Sequence, residues 1–204
     1  MDKNNHTNDT TVNEAQPAYN QIDVNQQYTY SDYMTWDDDN RWELIDGKAY
    51  MMSAPNFRHQ DILGNVFNQL YNYLKDKACK VYIAALDVRL NADTLDNTVV
   101  QPDLIIVCDR SIIDVAGIKG VPEMVLEVLS PSTSRYDRTI KFNTYKNAGV
   151  KEYWVVDPVD ETVAVHVLEH DKYITRAYSV EDEGAPVHVL GGFNVNLSEV
   201  FANA

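Results

Sequence analysis

No run in this 204-residue chain approaches the roughly 18 uninterrupted apolar residues of a membrane span. The polar opening MDKNNHTNDT also lacks the charged-then-apolar layout of a signal peptide. A soluble, cytoplasmic protein with no membrane partner is therefore expected. Cysteine is scarce as well. Cys79 and Cys108 each lie in an apolar run that reads as a strand, where a free thiol behaves as a small hydrophobe, so neither a disulfide nor a zinc site is expected. Bases are outnumbered: 17 Lys and Arg face 31 Asp and Glu, a net charge of −14. That balance opposes phosphate binding, which Lys and Arg drive by releasing counterions. The excess is uneven, however. Residues 1–40 hold eight acids and one base and residues 181–204 four acids and no base, which leaves about −3 for residues 41–180. The near-neutral middle is compatible with nucleic acid. No helix-turn-helix, zinc finger or basic arm is present, so no sequence preference can be read.

What is present suits one globular unit. An apolar content of 45% supports a single good core at this length. Residues 1–27 are rich in Asn, Gln, Thr and Asp with hardly any aliphatics, too little apolar surface to offset chain entropy, and read as a disordered leader. The domain is expected over residues 28–204. Aromatics at helical spacing from Tyr28 to Trp36 predict a short helix capped by Ser31, and Asp46-Gly47 between WELI and KAYMM predicts a hairpin. Ile62, Val66, Leu70, Tyr73 and Leu74 fall on one stripe, which predicts a helix of about five turns from Asn56 to about Lys77. Strands follow at CKVYIA, ALDVRL, residues 103–108 and 122–129. Ser132 or Thr133 would then cap a helix that Gly149 stops. KEYWVVD, a hairpin over 162–178, a strand near 186–190 and a helix at 198–201 complete the order. The alternation predicts a mixed α/β fold, a central sheet flanked by helices.

Two acids stand where acids are costly. Asp103 follows Pro102 at the head of DLIIVC, and Glu127 lies within VLEVL, a run that reads as core. Burying an ionised carboxylate costs several kcal/mol unless a cation compensates. Two such groups from neighbouring strands make a hard oxygen site of the kind magnesium or manganese prefers. Phosphodiester cleavage also needs a group that orients water or offsets phosphoryl charge. The residue sharing Glu127's strand face two positions on is Leu129, so no lysine stands there. Lys141, about 12 Å along the returning helix, can come level with the carboxylates instead.

The succession PD, then ExL, then a lysine on the following helix resembles the PD-(D/E)xK nuclease superfamily in a variant with a displaced lysine. The strings RWELIDGKAYMM, RHQDILGNVFNQLYNYL, VVQPDLIIVCD, GVPEMVLEVLSPST, DRTIKFNTYKNAGVKEYWVVDP and GGFNVNLSEVF resemble the Uma-two restriction-endonuclease family more closely, over roughly residues 28–202. The resemblance implies a restriction-endonuclease-like fold and a metal-dependent endonuclease acting on DNA, with magnesium or manganese as cofactor and a homodimer as the assembly. Position by position, it implies Asp103, Glu127 and the backbone carbonyl of Val128 as metal ligands. Lys141 would orient the attacking water, with Glu43 near the metal and Asp87, Gln101 and His59 as accessory residues. Plainer roles compete: Glu127 in an ion pair with Arg89 or Lys141, Lys141 exposed and paired with Asp137, Glu43 with Lys48, Asp87 with Arg89, and His59 at a helix start facing backbone or solvent. Two other functions also fit the sequence. One is a catalytically inactive nucleic-acid-binding or assembly module of the same fold; the other is a hydrolase of a different phosphoester such as RNA.

Overall fold

The computed structural model describes residues 22–130 and 134–202. Residues 1–21 of the expected leader and the expected caps Ser132 and Thr133 lie outside the described residues. The fold is mixed α/β, as expected, and among the described residues the strands divide into two six-stranded sheets and one two-stranded ribbon.

The first sheet begins with the predicted hairpin, β1 (Trp42–Ile45) and β2 (Lys48–Met51). Asp46 and Gly47 between them adopt φ of 48° and 79°, the left-handed pair that a two-residue hairpin turn needs. Any side chain at Gly47 would collide with Gln27, and Gly47 O accepts from Tyr28 N at 2.8 Å. Next to β1 lie β5 (Val99–Val100) and β4 (Val88–Arg89), then β8 (Gly117–Lys119) and β7 (Ile113–Asp114). The helix expected over 28–36 is shorter, α1 (Tyr30–Tyr33). Its cap is Thr29, not Ser31: Thr29 and Asp32 close a reciprocal capping box, which satisfies two helix-start donors at once.

The second sheet runs β12 (Lys172–Ser179), β11 (Thr162–Glu169), β10 (Glu152–Asp157), β9 (Met124–Val128), β6 (Leu104–Val107) and β3 (Lys80–Ile83). β9 and β10 are parallel and the other pairs antiparallel. The parallel pair requires a crossover, supplied by α3 (Ser134–Tyr136), a widened π turn at Asp137–Lys141, and α4 (Phe142–Ala148). Gly149 ends the helix at φ 88°, a left-handed stop that glycine takes without strain.

Strand alternation sorts the core into two layers. Leu104, Ile106, Met124, Leu126 and Val128 pack on α2 (Phe57–Leu74), α5 (Leu197–Phe201) and the ribbon of β13 (Ala185–Val187) and β14 (Phe193–Val195). Ile105, Val107, Val125 and Leu129 pack on Tyr145, Tyr153 and the first sheet. Glu127 shares the parity of Val125 and Leu129, which aims it at the second layer.

One expectation fails here. Cys79 and Cys108 form a disulfide, with Cα atoms 3.9 Å apart. The antiparallel register pairs Lys80 with Val107, so the next residue outward on each strand meets its counterpart directly. Each thiol reads as an ordinary apolar residue because the sequence does not display that register.

Candidate active site

Four elements deliver acids to one cleft of about 360 Å³, lined among others by Glu43, His59, Asp103, Glu127, Asp137 and Lys141. Glu43 comes from β1, Asp103 from the entrance to β6, Glu127 from β9, and Asp137 and Lys141 from the π turn. That widened turn places Asp137 and Lys141 on one buried side; such turns recur at functional sites.

Lys141 is the hub. Its Nζ lies 2.8 Å from Glu127 Oε1, 3.0 Å from Glu43 Oε1 and 3.8 Å from Asp137 Oδ1. It is buried, so the pair with Asp137 considered from sequence forms in the interior and not on an exposed face. Burial alone would lower its pKa, yet Glu127, Glu43 and Asp137 outweigh that and hold it well above the ordinary lysine value. Burial pushes the Glu127 carboxyl well above the usual carboxylate range; Lys141 opposes this, while Asp103, Asp137 and Glu43 add to it. One ammonium cannot offset so many carboxylates.

Each acid is fixed by a neighbour. Tyr145, one turn beyond Lys141, donates to Glu127 Oε1 at 2.7 Å. Tyr136 donates to Glu43 Oε2 at 3.1 Å, and Gln101 N to Glu43 Oε1 at 2.8 Å. Val128 N donates to Asp103 Oδ2 at 2.8 Å, and His59 Nε2 lies 3.0 Å from the same oxygen. His59 is thus buried against a carboxylate, not facing backbone or solvent, and its Nδ1 is buried without a partner among the described residues.

The accessory candidates form a second tier. Gln101 Nε2 donates to Asp87 Oδ1 at 2.8 Å, and Tyr33 OH to the same oxygen at 3.1 Å. Arg41 Nη2 donates to Gln101 Oε1 at 2.7 Å. Among the described residues, Asp87 therefore reaches the cluster through Gln101. Arg89 pairs with Asp96 at 2.6 Å, not with Asp87 or Glu127, and Glu43 turns to Lys141, not Lys48. Tyr136, Tyr145, Asp137 and Arg41 carry no distinctive local motif. For Tyr145 the usable signal is its spacing, four residues after Lys141 and on the same helix face.

Among the described residues, no three His, Cys, Asp or Glu side chains converge as a ready-made metal cage. Asp103 and Glu127 nonetheless each commit only one carboxylate oxygen to protein hydrogen bonds among the described residues, and both line the cleft.

Residues 30–198 match Uma2, a family described as "Putative restriction endonuclease". The chain belongs to that family. It is 30% identical over 155 residues to an uncharacterized Synechocystis sp. protein, covering 74% of this chain and 80% of that one. Its fold is similar to the crystal structure of a DUF820 protein from Anabaena variabilis, described there as a putative nuclease, with a TM-score of 0.70 at 18% identity over 86% of this chain and 98% of that one. Among the described residues, no helix of this Uma2 member is long and apolar enough to cross a membrane.

Proposed function

We propose that this Uma2 protein is a metal-dependent endonuclease that hydrolyses phosphodiester bonds in DNA, working in the cytoplasm as a homodimer. The observation that carries the reading is the convergence of Asp103, Glu127, Glu43 and Lys141 on the floor of one cleft. Asp103, Glu127 and the Val128 carbonyl would hold a magnesium or manganese ion. Two carboxylates completed by backbone oxygen and water suit magnesium, which keeps several waters. The charge balance fits as well: four acids and two bases, Arg41 and Lys141, line the cleft, and one divalent cation cancels the difference. Such an ion supplies Lewis-acid polarisation of the phosphoryl group and neutralises its growing charge.

The protein's own groups supply the rest. Val128 N–H and His59 fix one oxygen of Asp103, and Tyr145 and Lys141 fix one oxygen of Glu127. The free oxygens are thereby presented to the cleft. Lys141, kept protonated by its carboxylates, donates to the attacking water or a phosphoryl oxygen, and Glu43 holds the ammonium in place. Water attacks phosphorus as the bond to the ester oxygen breaks, and the proton lost from the water passes through solvent in the cleft to that leaving oxygen. This gives Lys141 the role that a lysine at position 129 would otherwise fill.

The test is cleavage of plasmid, linear DNA, single strands and RNA with magnesium, manganese or chelator, alongside Asp103→Asn and Glu127→Gln. Metal-dependent cutting lost in both variants is expected. No cutting under any metal, or cutting unchanged in both variants, would refute the reading.

A further inference from the structure

The mouth of the cleft is built unlike a duplex-binding surface. One side is the end of β2 and the segment after it, with Met51, Met52, Ala54 and Pro55, and the other the end of β3 and the segment after it, with Ile83 and Ala85. Met51 is 64% exposed and Ile83 44% exposed, so large apolar groups stand in solvent beside buried carboxylates. The cations lining the cleft are Arg41 and Lys141; Lys141 is enclosed by acids and Arg41 holds Gln101. Tyr50 and Tyr136 also line it, with ring centroids 5.0 Å apart.

Duplex affinity comes from Lys and Arg set along the phosphate backbone. Single strands carry lower charge density and gain affinity from bases laid on aromatic and apolar side chains. The site's depth points the same way. Glu127 and Lys141 are 4% and 3% exposed, so a phosphate reaching them must bring its nucleotide past Met51 and Ile83. A base held within a stacked pair cannot make those contacts, whereas a splayed base can lie against them.

From this geometry we infer that the site takes an unpaired nucleotide, in single-stranded or locally melted nucleic acid, and not the backbone of an intact duplex. The inference rests on the hydrolytic reading above and narrows its substrate. Binding is measured by fluorescence with a short 2-aminopurine-labelled DNA strand, the same sequence as RNA, and the annealed DNA duplex, with calcium replacing magnesium to suppress turnover. A single strand should bind at least about tenfold tighter than the duplex, a difference of about 1.4 kcal/mol. The double variant Met51→Ser/Ile83→Ser should lose about tenfold in single-strand affinity, with duplex binding unchanged. Val159, 83% exposed and outside the cleft lining, serves as the control: Val159→Ser should change neither. The DNA and RNA arms separate the sugar preference, and either preference supports the inference. Duplex binding as tight as single-strand binding, no binding of any strand, or a double variant that becomes monomeric with full single-strand affinity would overturn it. In a parallel cleavage assay with magnesium, faster cutting of duplex refutes this inference and leaves the hydrolytic reading intact. Absence of any cutting refutes the hydrolytic reading, while the strand preference is still read from binding.

Discussion

Two glutamates are buried on neighbouring parallel strands, and their surroundings differ. Glu152 on β10 is fully buried and accepts from Trp154 Nε1 at 2.7 Å and Val189 N at 2.8 Å. Both donors are neutral, and the bond to Val189 pins the turn that joins the two strands of the C-terminal ribbon. Glu127 on β9 accepts from a lysine and a tyrosine, stands among further carboxylates and opens on a cleft. Burial raises the pKa of both carboxyls. A buried acid in an apolar strand is therefore no sign of chemistry by itself. A surplus of like charge beside a cleft distinguishes Glu127.

The sharpest contrast comes from paired isosteric changes. Glu127→Gln should lower the cleavage rate by roughly 10²–10³-fold, the scale of losing several kcal/mol of transition-state charge stabilisation. Glu152→Gln should keep the rate near that of the parent protein and cost about 1–3 kcal/mol of stability through one mismatched buried hydrogen bond. Equal rate losses in the two variants would erase the distinction. Lys141→Met removes the one ammonium among the carboxylates and should cost about 3–5 kcal/mol in urea unfolding, the range for breaking a buried ion pair. A cost below about 1 kcal/mol would mean that the carboxylates do not need the lysine.

Away from the charged site, His166 packs against the rings of Phe142, Tyr153 and Tyr173. Burial, with a smaller contribution from Arg138, pushes His166 down to about 4, and its Nδ1 meets Thr175 Oγ1 at 2.7 Å. The unfolded imidazole titrates near 6.5, so between these values the unfolded chain binds more protons. The neutral ring's contribution is complete above about pH 6.5 and falls by about 3 kcal/mol as pH drops towards 4. His166→Phe should flatten that part of the stability profile; an unchanged slope would contradict the assignment. An effect on the scale of Glu152→Gln is expected from Tyr145→Phe. It removes one donor to a charged acceptor, worth about 1.5–3 kcal/mol, and should weaken metal affinity because Glu127 is no longer held.

Much of this architecture is visible locally. Asp46-Gly47 announces its hairpin, the Ile62 to Leu74 stripe its helix, and Gly149 the end of α4, because each depends on nearest neighbours in sequence. Asp103 and Glu127 could be singled out because an acid in an apolar run carries a free-energy cost wherever it folds, and Lys141 because Leu129 leaves the cation to the helix that follows. What stayed hidden depends on long-range register. The Cys79–Cys108 bridge needs the β3–β6 pairing. The turn of Glu43 towards Lys141 needs the first sheet laid against the crossover helix. Nothing in KEYWVVD marks out Glu152, although it lies deeper than Glu127. Its partner Val189 is 37 residues away and donates from the backbone, which no side-chain pattern reveals.

The proposed function stands or falls on whether Asp103 and Glu127 together hold a divalent ion. Calorimetric titration of manganese into the protein, Asp103→Asn and Glu127→Gln tests it most directly, since it reads the ion without requiring turnover. Saturable binding to the parent protein is expected, lost in both variants, with Glu152→Gln binding as the parent does. Undiminished binding in Asp103→Asn and Glu127→Gln would contradict it.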